Sequence, residues 1–137
     1  MKTQDVFAVA ILVLDKDNKV VIIKDRTKPT PHYWKLPGGR GEPGETIEEA
    51  GAREIREETG RNIDISTLKK ISRKKKSDHS SFIYFARAIS CIDNRTEGNE
   101  GEEIRICTTH EFLTITDFFP EHEVARKYLE RVILKND

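Results

Sequence analysis

The sequence predicts a single α+β domain, and three observations carry that prediction. Two Val/Ile-rich runs, residues 6–14 and 20–23, flank a cluster of turn formers, which is the pattern of a β-hairpin. Residues 46–59 carry the start and stop signals of a helix. Residues 81–89 place Phe82, Tyr84 and Ala86 on one face of a strand and Ile83 and Phe85 on the other, so the strand belongs in the middle of a sheet covered on both sides. The length of 137 residues suits one domain, 1–137, rather than two domains or a repeat array.

Composition narrows the class. A chain of this size buries roughly 68–70% of its unfolded surface, and 36% hydrophobic residues are enough to build such a core. Lys and Arg number 24 against 24 Asp and Glu, for a net charge of zero, so a uniformly basic nucleic-acid binder is excluded and a nucleic-acid partner is not expected. Residues 6–14 are too short to span a bilayer. The acidic flanks, Asp5 before the run and Asp15 and Asp17 after it, do not suit a signal peptide, so a cytoplasmic, non-membrane protein is expected. Cys91 and Cys107 are too few for a zinc framework or disulfide scaffold and read as two buried thiols.

The elements follow in order. Lys28-Pro29-Thr30-Pro31 breaks regular structure, and Trp34-Lys35-Leu36-Pro37-Gly38-Gly39 opens a Gly/Pro-rich loop that runs to Gly44. Thr46 and Glu49 stand in capping-box spacing, and Gly60 is placed to stop the helix. Strands are expected at 68–73 and 81–89 around a turn at 74–80. A polar acidic loop spans 93–103, and short strand-like pieces follow at 104–107 and 112–115. Residues 121–135 set Val124, Tyr128, Leu129, Val132 and Ile133 at helical spacing, which reads as a closing amphipathic helix.

The helix at 46–59 carries the chemistry. Glu54, Glu57 and Glu58 lie at i, i+3 and i+4, which puts three carboxylates on one side. At a separation of about 6 Å each pair repels by about 0.7 kcal/mol in water and about 3 kcal/mol at an effective dielectric of 20. Oxygen ligands of that kind suit a hard divalent ion, Mg²⁺ or Mn²⁺. Arg53 adjoins the same face and can hold carboxylates with its planar fork. A bland alternative is a solvated acidic helix face.

The wider pattern, Gly39-x5-Glu45-x7-Arg53-Glu54-Ile55-x-Glu57-Glu58-x-Gly60, fixes eight positions at set spacing. In these residues the chain resembles the Nudix hydrolases, the MutT-like pyrophosphohydrolases. Trp34-Lys35-Leu36-Pro37-Gly38-Gly39 is also similar to that family. The bulky aliphatic residue expected after Gly60 is Arg61 here, and Ile63 is a candidate to pack the helix end instead. The resemblance implies an α/β/α sandwich with a mixed central sheet and Mg²⁺-dependent (or Mn²⁺-dependent) hydrolysis of a nucleoside diphosphate linked to a further group X, by attack of water on phosphorus. It implies Glu54, Glu57, Glu58 and the Gly39 carbonyl as metal ligands, Arg53 as their orienting partner, and Glu45 as a brace between loop and helix.

Family members often add a carboxylate from a later loop, as ligand or base, and Glu97, Glu100, Glu102 and Glu103 supply that region. The run 100–106 is similar to that of ADP-ribose pyrophosphatases, and Glu102, then Glu100, is favoured. The substrate expected is a small nucleotide, either a nucleotide sugar such as ADP-ribose or a nucleoside triphosphate. A Nudix-like module without catalysis, sensing a nucleotide or binding a partner, is the alternative, and a homodimer is possible on the resemblance. His32, His79, His110 and His122 have no ligand spacing. Lys35 and Arg40 could touch phosphates, the basic run 69–76 could steer them, and Trp34 could either pack or stack on a base.

Overall fold

The computed structural model describes residues 6–27, 29–92, 95 and 97–136. Lys2 and Asp5 of the expected flank, Lys28 of the Pro-rich break, and Asp93, Asn94 and Thr96 of the expected acidic loop lie outside the described residues. In chain order the elements are β1 (Phe7–Leu14), β2 (Val20–Lys24), β3 (Trp34–Lys35), β4 (Gly38–Arg40), α1 (Ile47–Thr59), β5 (Arg61–Ile63), β6 (Lys69–Lys75), β7 (Ser80–Cys91), β8 (Glu103–Cys107), α2 (Thr109–Thr114) and α3 (Glu123–Tyr128).

The strands form one mixed sheet in the order β3-β2-β1-β7-β5, with β4 added to β1, β6 to β7 and β8 to β2. β1 and β7 run parallel from Phe7↔Ser80 to Leu14↔Arg87, and the hairpin of β1 and β2 is antiparallel at Val13↔Val21. Its turn is held by Asp15, whose Oδ1 accepts from the N–H groups of Asp17 and Lys19, while Asn18 takes the left-handed conformation at φ 59°.

Alternation along the central strands sorts the core into two layers. Val9, Ile11, Val13 and Val21 pack with Phe82 and Ala86 against Ala50 and Ile55 of α1. Leu12, Leu14, Val20 and Ile22 pack with Ile83 and Phe85 against Phe112, Ala125 and Leu129 on the opposite face. β7 is thus covered on both sides, and the α/β/α sandwich follows. Full burial of one such side chain contributes about 1.5–3 kcal/mol.

Four local expectations are corrected. Residues 112–115 are not strand-like: α2 spans Thr109–Thr114, because Thr108 and Glu111 form a capping box and Phe112 alone turns fully into the core. The stretch 34–44 is not all loop, since β3 pairs with β2 and β4 with β1. The closing helix begins as a tight turn at Pro120–His122, runs as α3, and then widens over Leu129–Ile133. It buries Ala125 and Leu129 and packs Tyr128 and Ile133 against the core as expected, while Val124 and Val132 are exposed. Cys107 is buried, but Cys91 is exposed on the far end of β7.

Candidate active site

α1 is fixed at both ends before it presents any chemistry. Thr46 Oγ1 accepts from the Glu49 N–H at 3.1 Å and Glu49 Oε1 accepts from the Thr46 N–H at 2.8 Å. Gly60 closes the helix at φ 71° and donates to the Arg56 carbonyl, and Ile63, not Arg61, packs beside Ile55 at the helix end. Ala50 and Ile55 anchor the inner side, so the spacing of Glu54, Glu57 and Glu58 carries them to the rim where α1 meets β4.

Arg53 organises that rim. Its Nε and Nη2 donate to the two carboxylate oxygens of Glu45 at 2.8 and 3.0 Å, a bidentate pair that ties the preceding loop to the helix. Nη1 donates to Glu54 at 2.9 Å and Glu57 at 3.2 Å, and Nη2 also donates to the Arg40 carbonyl at 3.1 Å. These bonds hold the Glu45 carboxyl below the usual carboxylate range and raise the guanidinium pKa further. The Glu54 carboxyl lies directly over Gly39, where any Cβ would come within 2.7 Å of it. Only glycine permits that approach. Gly39 itself pairs with Val9 of β1, so the loop is held by the sheet.

Glu58 is the most buried of the three, at 8% exposed, and its Oε1 accepts from the Gly38 N–H at 2.7 Å. Burial, with the charges of Glu54 and Glu102 nearby, pushes its carboxyl up to about 9, against the pull of the Gly38 N–H and Lys35. Burial likewise raises the Glu54 carboxyl despite Arg53.

The later loop folds onto the same place. Asn99 N–H and Arg95 Nη1 both donate to the Glu57 carbonyl, at 3.2 and 3.1 Å. Glu102 is 5% exposed, and its Oε1 accepts from the Glu100 N–H at 3.2 Å. A Cβ on Gly98 would sit 2.2 Å from that same oxygen, so the loop closes tightly over the Glu102 carboxylate. Glu100 stays exposed at the cavity edge.

Together these groups line a cavity of about 400 Å³ that includes Gly39, Glu54, Glu57, Glu58, Glu100 and Glu102. Of the other loop candidates, Glu103 pairs with Arg26, Glu97 meets Glu103 through a backbone β-bridge, and neither lines the cavity. Asp25 and Asn99 border the cavity as well and were not anticipated from sequence. Asp25 follows β2, and the antiparallel register Lys24↔Glu103 carries it toward Glu102. A pairing between strands that far apart in the chain leaves no local signal. Asp25-Arg26-Thr27 has only the look of a turn, and the Asp25 carboxylate does accept from Thr27.

The donor set suits a hard divalent cation: every candidate ligand is an oxygen, and carboxylates outnumber the cations Lys35 and Arg40 on the cavity wall. Among the described residues no three acidic, imidazole or thiol groups already converge as a ready ligand set. The reason is local, since Glu54 and Glu57 turn onto Arg53 and Glu58 turns onto the Gly38 N–H. The histidines stand apart from this cluster. His122 Nδ1 accepts from the Leu36 N–H, and His79 bonds Asp78. Trp34 packs in the core at 8% exposed, under the Lys24 and Arg105 cations.

The family model for the NUDIX domain matches residues 5–132. The chain belongs to the NUDIX family. Among its NUDIX relatives, an ADP-ribose pyrophosphatase from Methanocaldococcus jannaschii is 52% identical over 48 residues, covering 35% of this chain and 28% of the relative. An 8-oxo-dGDP phosphatase from Homo sapiens is 30% identical over 99 residues, covering 72% of this chain and 30% of the relative. Matched stretches span about half or less of such curated relatives. A NUDIX hydrolase structure from Nitrosomonas europaea superposes with a TM-score of 0.76 at 21% identity, over 98% of this chain and 75% of that one, which shows the shared fold. Among the described residues no helix is long and apolar enough to cross a membrane.

Proposed function

We propose that this chain is a pyrophosphohydrolase that uses Mg²⁺, or Mn²⁺ in its place, to cut the diphosphate of a small nucleotide, releasing a nucleoside phosphate. The single observation that supports this reading most strongly is the buried Glu58 carboxylate. It stands beside Glu54 and Glu102 at the wall of an open cavity, where its charged form is costly unless a cation shares the space.

The roles follow from position. Glu54, Glu57, Glu58, Glu102 and the Gly39 carbonyl would hold the cation, and Arg53 keeps Glu54 and Glu57 oriented from behind. A bound divalent ion supplies charge neutralisation on the phosphate oxygens and makes a water more acidic. Glu102, braced by the Glu100 N–H, or Glu100 at the mouth accepts the proton of the attacking water. No Ser or Cys nucleophile is required, because water attacks phosphorus directly.

The names of the relatives, with ADP-ribose in one and 8-oxo-dGDP in the other, have a nucleoside diphosphate in common, and this supports that substrate class. The test is a panel of nucleotide sugars and nucleoside di- and triphosphates incubated with and without Mg²⁺, with products identified. Metal-dependent release of a phosphate-containing product from at least one is expected. Binding of nucleotides without turnover would instead favour a sensing module.

A further inference from the structure

The loop that enters α1 has a cavity on either side. Lys35, Gly38 and Gly39 line the acidic cavity, and the same three residues line a second cavity of about 180 Å³, bounded by Ala10, Ser81, Phe119 and His122. The position of Lys35 follows from strand alternation. Trp34 and Leu36 fall in the core at 8% and 1% exposed, so the side chain between them leaves by the opposite face, where the two cavities meet.

Lys35 differs from the cations around it. Lys24 pairs with Asp117, Arg26 with Glu103, Arg53 with Glu45, Glu54 and Glu57, and Lys76 with Glu121. Among the described residues Lys35 makes no ion pair, although it is half-buried. Lys35 lines both cavities, one together with Glu58 and the other together with His122. A half-buried ammonium without a carboxylate partner, open to two cavities, is a seat for an anion.

We propose that Lys35 receives the phosphate group that departs when the anhydride is cut. This rests on the hydrolase reading above. The water oxygen bonds to the attacked phosphorus, the bond from that phosphorus to the bridging oxygen breaks, and its electron pair stays on that oxygen. The water proton passes to a carboxylate of the acidic cavity and then to solvent. The departing phosphate therefore gains a negative charge next to a wall of carboxylates, and an ammonium at the far edge stabilises that charge as it develops. The group beyond the second phosphate enters the smaller cavity.

The test compares wild type with Lys35→Met, which keeps the apolar stem, and Lys35→Arg, which keeps the charge. Three quantities are measured after thermal melts confirm folding: kcat and KM on the best substrate of the panel, affinity for the non-hydrolysable α,β-methylene analogue of ADP with Mg²⁺, and Mn²⁺ affinity without nucleotide. Lys35→Met should lose about 10- to 100-fold in kcat/KM, mainly in kcat, and about tenfold in analogue affinity, with Lys35→Arg recovering most of both. Mn²⁺ binding should be unweakened, because the substitution removes a cation. Changes under threefold in kcat/KM and analogue affinity, or a parallel loss of Mn²⁺ binding, would overturn the proposal. If the wild type hydrolyses nothing, the hydrolase reading fails and analogue affinity alone decides whether Lys35 seats a phosphate.

Discussion

Arg53 shows how much of the site is settled by single side chains. One guanidinium takes both oxygens of Glu45 and one oxygen each of Glu54 and Glu57, so loop and helix carboxylates are held in one arrangement. Arg53→Lys keeps the charge but cannot form that fork, and a loss of 10-fold or more in turnover is expected in steady-state assays. Glu58→Gln tests the opposite side of the balance. Glutamine retains an oxygen for the Gly38 N–H and needs no proton, whereas the Glu58 carboxyl, pushed up to about 9, must take one up near neutral pH to stay buried beside Glu54 and Glu102. The metal-free protein should melt higher, by about 2–8 °C for a gain of about 1 kcal/mol, while hydrolysis falls. A lower melting temperature would mean that the buried carboxyl carries no such cost in the native state. The three helix carboxylates were legible because their spacing is local, whereas Asp25 and Asn99 reach the cavity only through strand pairing and loop docking.

At the scale of elements, α1 was legible in full because its signals lie within its own residues: capping box, apolar inner positions and terminal glycine. Thr46→Ala should cost about 1 kcal/mol in denaturant unfolding, since it removes the side-chain acceptor for the Glu49 N–H. A cost near zero would show that the helix start is held by Arg53 and Glu45 alone. α2 was misread because Phe112, Leu113 and Ile115 look like part of a strand, and the Thr108/Glu111 capping box that decides the matter heads a helix of only six residues. The closing segment was recognised as helical, and Tyr128, Leu129 and Ile133 of its expected face pack on the core, whereas Val124 and Val132 stay exposed and Ala125 takes the inner place beside them.

For the whole molecule, the sheet order places the acidic rim and the basic β6 edge on separate parts of a chain whose charges sum to zero. β6 lies at an edge, where a Lys-rich strand also discourages pairing with another sheet. Global stability should carry the signature of His122, whose pKa is lowered to about 4, chiefly by burial and then by Lys35. Between that value and the unfolded value of about 6.5 the unfolded chain binds a proton that the native state does not. Stability is therefore lost as pH falls through this window, by up to about 1.4 kcal/mol per pH unit, and the group contributes nothing above it. His122→Asn can still accept from the Leu36 N–H, and its acid-side loss of stability should be shallower in melts at pH 4–7. Divalent metal should raise the melting temperature, since a concentration of ten times Kd adds about 1.4 kcal/mol.

The most direct measurement is the Mg²⁺-dependent rate of nucleotide hydrolysis for wild type and Glu57→Gln side by side. Glu57 is the most exposed of the three helix carboxylates, with a side chain 44% accessible, so the substitution leaves the core untouched. Turnover should fall by orders of magnitude while the metal-free melt stays within a few degrees of wild type. Equal turnover in the two proteins would contradict the assignment of the reaction to this cluster of carboxylates.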